Sequence, residues 1–236
     1  MGRQTYGRVS GLVAALLLAV TGCSTGTAGE GDAKPSPPPR TGAPGGTAAQ
    51  DGTLPGLPTP AQARTRLAGL KMAPQGSMTG YSRDRFPHWA EQGQSCNTRE
   101  AVLERDGTDV RRDDECRAVS GSWVSVYDGK TYTKASGLDI DHMVPLANAW
   151  RSGANTWPQD RRKAFANDLT HPQLLAVSAV SNRSKGDQGP DEWQPPSRAY
   201  WCVYARAWTS VKSTYDLTVT KSEKSMLGRM LDTCPA

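Results

Sequence analysis

LDIDHMVPLANAW, Leu138 to Trp150, sets Asp139, Asp141 and His142 on a short β-forming run that ends near Pro145. On a strand, residues two apart share a face, so Asp139 and Asp141 point one way and Ile140 and His142 the other. With a proline close behind, the strand ends at about the histidine, and Asp141 and His142 flank a turn. A carboxylate there suits a hard divalent cation, and a neutral imidazole beside it can take a proton from water. Taken alone, a surface aspartate beside a hydrogen-bonded histidine explains the pair more simply. The reading therefore turns on what the rest of the chain supplies.

Some forty residues later, LLAVSAVSNRSKGD, Leu174 to Asp187, reads as a short apolar strand and then a helix. Ser178 can cap that helix and Gly186 can end it. Asn182 lies on it with Arg183 and Lys185 beside it. An Asn oxygen is a suitable Mg²⁺ ligand, and the two cations could hold a phosphodiester.

Around these two segments the pattern is mixed α and β. GSWVSVYDGKTYT, Gly121 to Thr133, places β-formers about an Asp128-Gly129 pair and predicts a hairpin. Helices are expected over Pro60–Leu70, Thr98–Arg105, Pro145–Arg151 and Gln159–Leu169. Tyr200, Tyr204, Trp208, Val211 and Tyr215 recur three or four apart, one apolar helical stripe that reads as core rather than as a stacking surface for bases. Thr220 and Glu223 have the spacing of a capping box and open a last helix. No internal repeat is evident.

The ends of the chain give an address. Arg3 and Arg8 precede an apolar run, Leu12 to Val20, that is shorter than the roughly 20 residues of a membrane-spanning helix. Residues 1–22 read as an export signal. Val20-Thr21-Gly22-Cys23 resembles the lipobox of bacterial lipoprotein precursors, which would make Cys23 a lipidated N-terminus. An ordinary cleaved signal is the alternative. From 23 to 60 the composition, including KPSPPPRTGAPGG, cannot bury enough surface to offset its ordering entropy and reads as a tether. Residues 61–236 are left for one domain.

Of the 5 cysteines, setting Cys23 aside leaves Cys96, Cys116, Cys202 and Cys234. An even number in an exported chain points to two disulfides. Three pairings are possible, and the two local ones, Cys96 with Cys116 and Cys202 with Cys234, are favoured. A zinc site is disfavoured because no C-x-x-C pair occurs. Of the 28 basic residues, Arg3 and Arg8 leave with the signal, so 26 face 23 acidic ones and the net charge is +3. Charge alone argues only weakly for a polyanionic partner.

DIDHMVPL and LLAVSAVSNRSKGD together resemble the ββα-metal core of HNH nucleases, whose CRISPR-effector members carry a similar "DxDHxVP" followed by "NRxK". FPHW, CNTREAVLERDG, GSWVSVYDG, LANAWRSGA, RRKAFANDL and YWCVYARAW extend the likeness over roughly residues 80–236. The whole is similar to a bacterial family of exported HNH endonuclease-like proteins related to the C-terminal domain of GmrSD-type restriction enzymes. The resemblance implies an α+β fold, with a ββα-metal core between an N-terminal hairpin region and C-terminal helices. It implies a metal-dependent endonuclease acting on nucleic acid, DNA before RNA; the signal and lipobox place it outside the cytoplasm, meeting the membrane only through a lipid anchor, and a monomer is expected. It places the general base at His142 and the metal ligands at Asp141 and Asn182, with one Mg²⁺ (or Mn²⁺). Asn167, in FANDL, takes the part of the middle Asn that orients the imidazole, although HPQLL stands where an Asn often precedes the second strand. Arg183 and Lys185 would bind substrate, and Asp139 would orient its neighbours or merely face outward.

Other classes fit less well. A zinc cell-wall hydrolase needs several His and carboxylate ligands, and His88 and His171 read as surface or turn residues. No G-x-S-x-G elbow is present. The remaining alternative is a lipoprotein that keeps the fold and binds nucleic acid, or assembles, without turnover.

Overall fold

The computed structural model describes residues 54–235. The signal over 1–22, Cys23 and most of the tether lie outside them. The domain begins earlier than the expected boundary at 61. Leu54 is buried in the main core, and the Pro58 carbonyl accepts a hydrogen bond from Arg206. The apolar residues of TLPGLP thus belong to the folded part.

Helix α1 (Pro60–Gly69) has the start its sequence encodes, with Pro at the first turn and a reciprocal capping box between Thr59 and Gln62. A single 3₁₀ turn, Arg83–Arg85, and the small ribbon of β1 (Glu91–Gly93) and β2 (Cys96–Asn97) lead into α2 (Thr98–Asp106), capped by Asn97. β3 (Thr108–Arg112), β4 (Ala118–Val124) and β5 (Thr131–Tyr132) form an antiparallel sheet in that order. The Asp128-Gly129 hairpin is present, and Gly129 takes the left-handed conformation its turn requires, φ 71°. β3 was not expected, because TDVRR carries little apolar signal and its residues stay largely exposed.

β6 (Leu138–His142) is followed by α3 (Leu146–Arg151) and α4 (Gln159–Ala166), then by β7 (Leu174–Ser178) and α5 (Ala179–Lys185). The chain closes with α6 (Trp201–Thr214) and α7 (Lys221–Leu231). α4 stops at Ala166 rather than at Leu169, because Asn167 turns its side chain back to cap the helix and bond neighbouring segments. Ser178 caps α5 and Gly186, at φ 55°, ends it, as read from the sequence.

β6 and β7 pair antiparallel in unbroken register, Leu138 opposite Ser178 through His142 opposite Leu174. The pleat then sorts the ribbon onto two cores. Leu138, Ile140, Leu174 and Ala176 pack with Val102, Leu103 and Trp123 beneath α2 and β4. Leu175 and Val177 join the larger core built from α1, α3, α4, α6 and α7. Tyr204, Trp208 and Val211 of the aromatic stripe are fully buried there, each removing an apolar surface worth about 2–3 kcal/mol.

The chain is therefore a mixed α+β domain with two disulfides, Cys96–Cys116 and Cys202–Cys234, spanning 20 and 32 residues. Each closes a loop worth roughly 3–4 kcal/mol in the chain-entropy account. Replacing both cysteines of either pair by serine is expected to lower the urea-unfolding free energy by about that amount. A loss below about 1 kcal/mol would show that the bridge does not constrain the unfolded chain.

Candidate active site

The last residues of β6 face opposite ways, as the pleat dictates, and meet different partners. Asp141 points towards α5 and the larger core and is 4 % exposed. Its carboxylate takes two contacts from the Lys185 ammonium, at 2.9 and 2.6 Å, and one hydrogen bond from the Tyr127 hydroxyl at 2.5 Å. Lys185 is 0 % exposed and also donates to the carbonyls of His142 and Met143, at 2.8 and 3.1 Å. Burial pushes the Asp141 carboxyl up and the Lys185 ammonium down, and their mutual attraction opposes both shifts. Tyr127 is held far above the ordinary phenol range by burial and by the Asp141 charge.

His142 points towards the smaller core. Its Nε2 lies 2.9 Å from the Ala166 carbonyl, so Nε2 carries the proton and donates, and Nδ1 is left as the acceptor. The Trp89 indole stacks on the imidazole, ring centres 6.0 Å apart and planes at 27°. Burial first, with Arg83, His88 and Lys185 adding to it, holds the His142 pKa down at about 3 against the single raising contribution of the Ala166 bond. The ring is neutral over the whole physiological range.

Beside these two residues lies a cleft of about 240 Å³ lined by His142, Asp141, Asn182, Arg183, Tyr81 and Arg83, among others. Asn182 is half-buried and donates through Nδ2 to Asp139 at 3.2 Å, and Arg183 pairs with the same carboxylate at 3.4 Å. Asp139 thus positions the α5 residues at the mouth of the cleft.

The structure brings His142, Asp141, Asn182 and Arg183 to one cleft and gives Lys185, Asp141 and Asn167 partners other than the expected ones. Lys185 does not reach substrate, because its ammonium is sealed beneath the cleft with four acceptors. Both Asp141 oxygens accept from Lys185, whose ammonium competes with a metal for the carboxylate. Asn167 does not touch His142. Its Oδ1 accepts from Ala90 N and Thr98 Oγ1, both at 2.8 Å, and its Nδ2 donates to the Pro87 and Lys163 carbonyls. It latches the 87–98 segment, while the carbonyl of the residue before it orients the imidazole.

The donor set does not fit the divalent cation the resemblance implies. Mg²⁺ takes one or two free carboxylates with water and phosphate. Among the described residues no three His, Cys, Asp or Glu side chains form a metal-holding group, and the best-placed carboxylate is neutralised by an ammonium.

Sequence reasoning missed Tyr127, Trp89, Arg83 and Gln173. Gln173 is fully buried and bonds both backbone groups of Val144 through its side chain, imitating one more strand residue and fixing the turn after His142. The polar Gln in HPQLL, directly before an apolar strand, was the available signal. His171 keeps its expected turn role, bonded to Asp168. His88 sits between Arg83 and Trp89.

Residues 98–230 match the family model described as "GmrSD restriction endonucleases, C-terminal domain". The chain is also 57 % identical over 182 residues, 77 % of its length and 89 % of the relative's, to an "Uncharacterized secreted protein" of Arthroderma benhamiae. That organism is a fungus, so the likeness is not confined to bacteria as the sequence suggested. No solved structure matches the chain. Among the described residues no helix is long and apolar enough to cross a membrane.

Breaking the buried ion pair from one side strands a charge, so Lys185→Met is expected to cost about 3–5 kcal/mol in urea unfolding, with Asp141→Leu in the same chain recovering much of it. An additive double variant would show that the two groups do not interact. Acid tests His142. Above pH 6.5 the ring is neutral in both states and its contribution is fully present. As pH falls from 6.5 towards 3, the unfolded chain binds a proton that the folded chain refuses, and stability is lost. His142→Gln should remove up to about 1.4 kcal/mol per pH unit from the slope in that window, and an unchanged slope would show that the ring titrates normally.

Proposed function

The chain belongs to the family of GmrSD restriction endonuclease C-terminal domains, and from that premise we propose that it hydrolyses phosphodiester bonds of nucleic acid, DNA before RNA, outside the cytoplasm. The observation that carries this reading is His142: a neutral imidazole, fixed in one tautomer by a backbone carbonyl, at a cleft that also holds an amide and guanidinium groups. In this reading the β6–β7–α5 unit is the ββα core of an HNH nuclease. The secreted relative supports the location, and lipidation at Cys23 and a monomeric state remain part of the proposal.

His142 takes a proton from water through Nδ1 as the water oxygen attacks phosphorus. The bond from phosphorus to the leaving oxygen breaks, and that oxygen is reprotonated from solvent. A base with a pKa near 3 accepts a proton poorly in the free protein. A phosphodiester anion in the cleft opposes that depression, because it stabilises the imidazolium that forms. Arg183, with its side chain 75 % exposed, is placed to meet the charge growing on the phosphoryl oxygens. Asn182 stands beside it, held by Asp139. The resemblance brings a divalent cation, Mg²⁺ before Mn²⁺, but the carboxylate it would need is bound to Lys185, so no step is routed through one.

That same ion pair favours a second reading, a domain that binds nucleic acid without cutting it. Plasmid nicking by the exported chain with its disulfides intact separates the two. In buffers containing Mg²⁺, Mn²⁺ or EDTA, the first reading expects cleavage that falls at least 10²-fold in His142→Ala, the usual range for loss of a general base. Equal inertness of both proteins on DNA and RNA, with DNA still bound, would establish the second.

A further inference from the structure

One wall of the cleft does not come from the matched region. Tyr81 and Arg83 line it, yet the family match begins at residue 98. The 81–90 segment that carries them is held down firmly. Asn167 bonds Ala90 and Pro87, and Thr98 bonds the Ala90 carbonyl. Phe86 is fully buried against Trp150 and Phe165.

Two features mark this wall as more than packing. Arg83 is exposed at the cleft and, among the described residues, has no carboxylate partner, whereas Arg183 opposite pairs with Asp139. Its Nε donates instead to His88 Nε2 at 3.4 Å, and His88 Nδ1 donates to the Phe86 carbonyl at 2.9 Å. Among the described residues the remaining guanidinium nitrogens have no acceptor. The second feature is Trp89, which lies at φ 60°, a left-handed conformation that is unusual and strained for a bulky residue. The chain accepts that strain while Trp89 covers the face of His142. The other carboxylates near the mouth are already engaged: Asp187 with Arg151, Asp139 with Arg183 and Asn182, and Asp141 with Lys185.

We infer that the Tyr81–Ala90 segment, which precedes the residues the family model matches, is a strand clamp in which Arg83 grips a DNA backbone phosphate next to the one presented to His142. This deepens the nuclease reading and rests on it. A small isolated diester offers one phosphate, which His142 and Arg183 address. A strand offers a neighbouring phosphate as well, and Arg83 is the cation left to receive it. His88 is a positioning residue that orients the guanidinium, and Trp89 sets the imidazole relative to the held strand.

The test is binding, so that it does not depend on turnover. Fluorescence anisotropy with a labelled single-stranded DNA is measured between 50 and 200 mM salt for the full exported chain carrying His142→Ala, alone and with Arg83→Gln, Arg83→Lys or, as a control far from the cleft, Arg64→Gln. Losing one phosphate contact should flatten the slope of log K against log salt by about 0.7 for a single strand, and weaken binding roughly 10-fold at the low-salt end. Arg83→Lys should restore the slope, and Arg64→Gln should match the parent. A parallel RNA oligonucleotide decides the polymer, and tighter RNA binding would overturn the DNA assignment. An unchanged slope in Arg83→Gln overturns the clamp even if the wild-type chain nicks plasmid. A flattened slope in a chain that never cuts upholds the clamp and sinks the nuclease reading. Absence of DNA binding by the parent overturns both.

Discussion

A charge taken out of water must be matched where it lies, and Lys185 and Asp141 match each other with almost no solvent in reach. The ammonium sits at the end of α5, the carboxylate at the end of β6, and the pair also grips the carbonyls of His142 and Met143. Either partner alone would be intolerable in that place. Together they fix the distance between strand and helix, and with it the cleft between His142 on one element and Asn182 and Arg183 on the other. Tyr127 brings the β4–β5 turn region into the same network through its hydroxyl. The turn that follows His142 is closed from the far side by Gln173, which does with a side chain what a backbone does elsewhere.

Much of this scaffold was legible in the sequence because it rests on short-range rules. The alternation in LDIDH placed Asp141 and His142 on opposite faces, and the structure keeps them there. Ser178 and Thr220 cap the helices they precede. Asp128-Gly129 makes the turn, and the spacing of Tyr200, Tyr204 and Trp208 makes a core stripe. Cysteine parity with local pairing gave both disulfides. β3 escaped because an exposed strand of charged residues carries no apolar period, and it is held by its pairing with β4.

The site was legible in its membership more than in its roles. A lysine three residues after an asparagine on a helix looks like a phosphate-binding group until three-dimensional packing decides which side is solvent. For Lys185 that side is the core. The Lys185 partner of Asp141 was hidden for the same reason, since the competition between an ammonium and a metal for one carboxylate has no one-dimensional signature. Asn167 was the right place and the wrong atom, one residue from the carbonyl that holds the imidazole. Arg83 and Trp89 lay outside the paired motifs, and nothing in their spacing ties them to a residue more than fifty positions away.

The Tyr81–Ala90 wall is joined to the domain largely through side chains: the Asn167 latch, the Phe86 plug, Arg162 on the Arg85 carbonyl and Trp89 on His142. The residues of the β6–β7–α5 unit take none of their backbone pairing from it. Attachment of this kind leaves the exposed side chains of the segment open to change of charge while the histidine, its carbonyl and the ion pair beneath stay in place, so what is recognised can be altered separately from what is done to it.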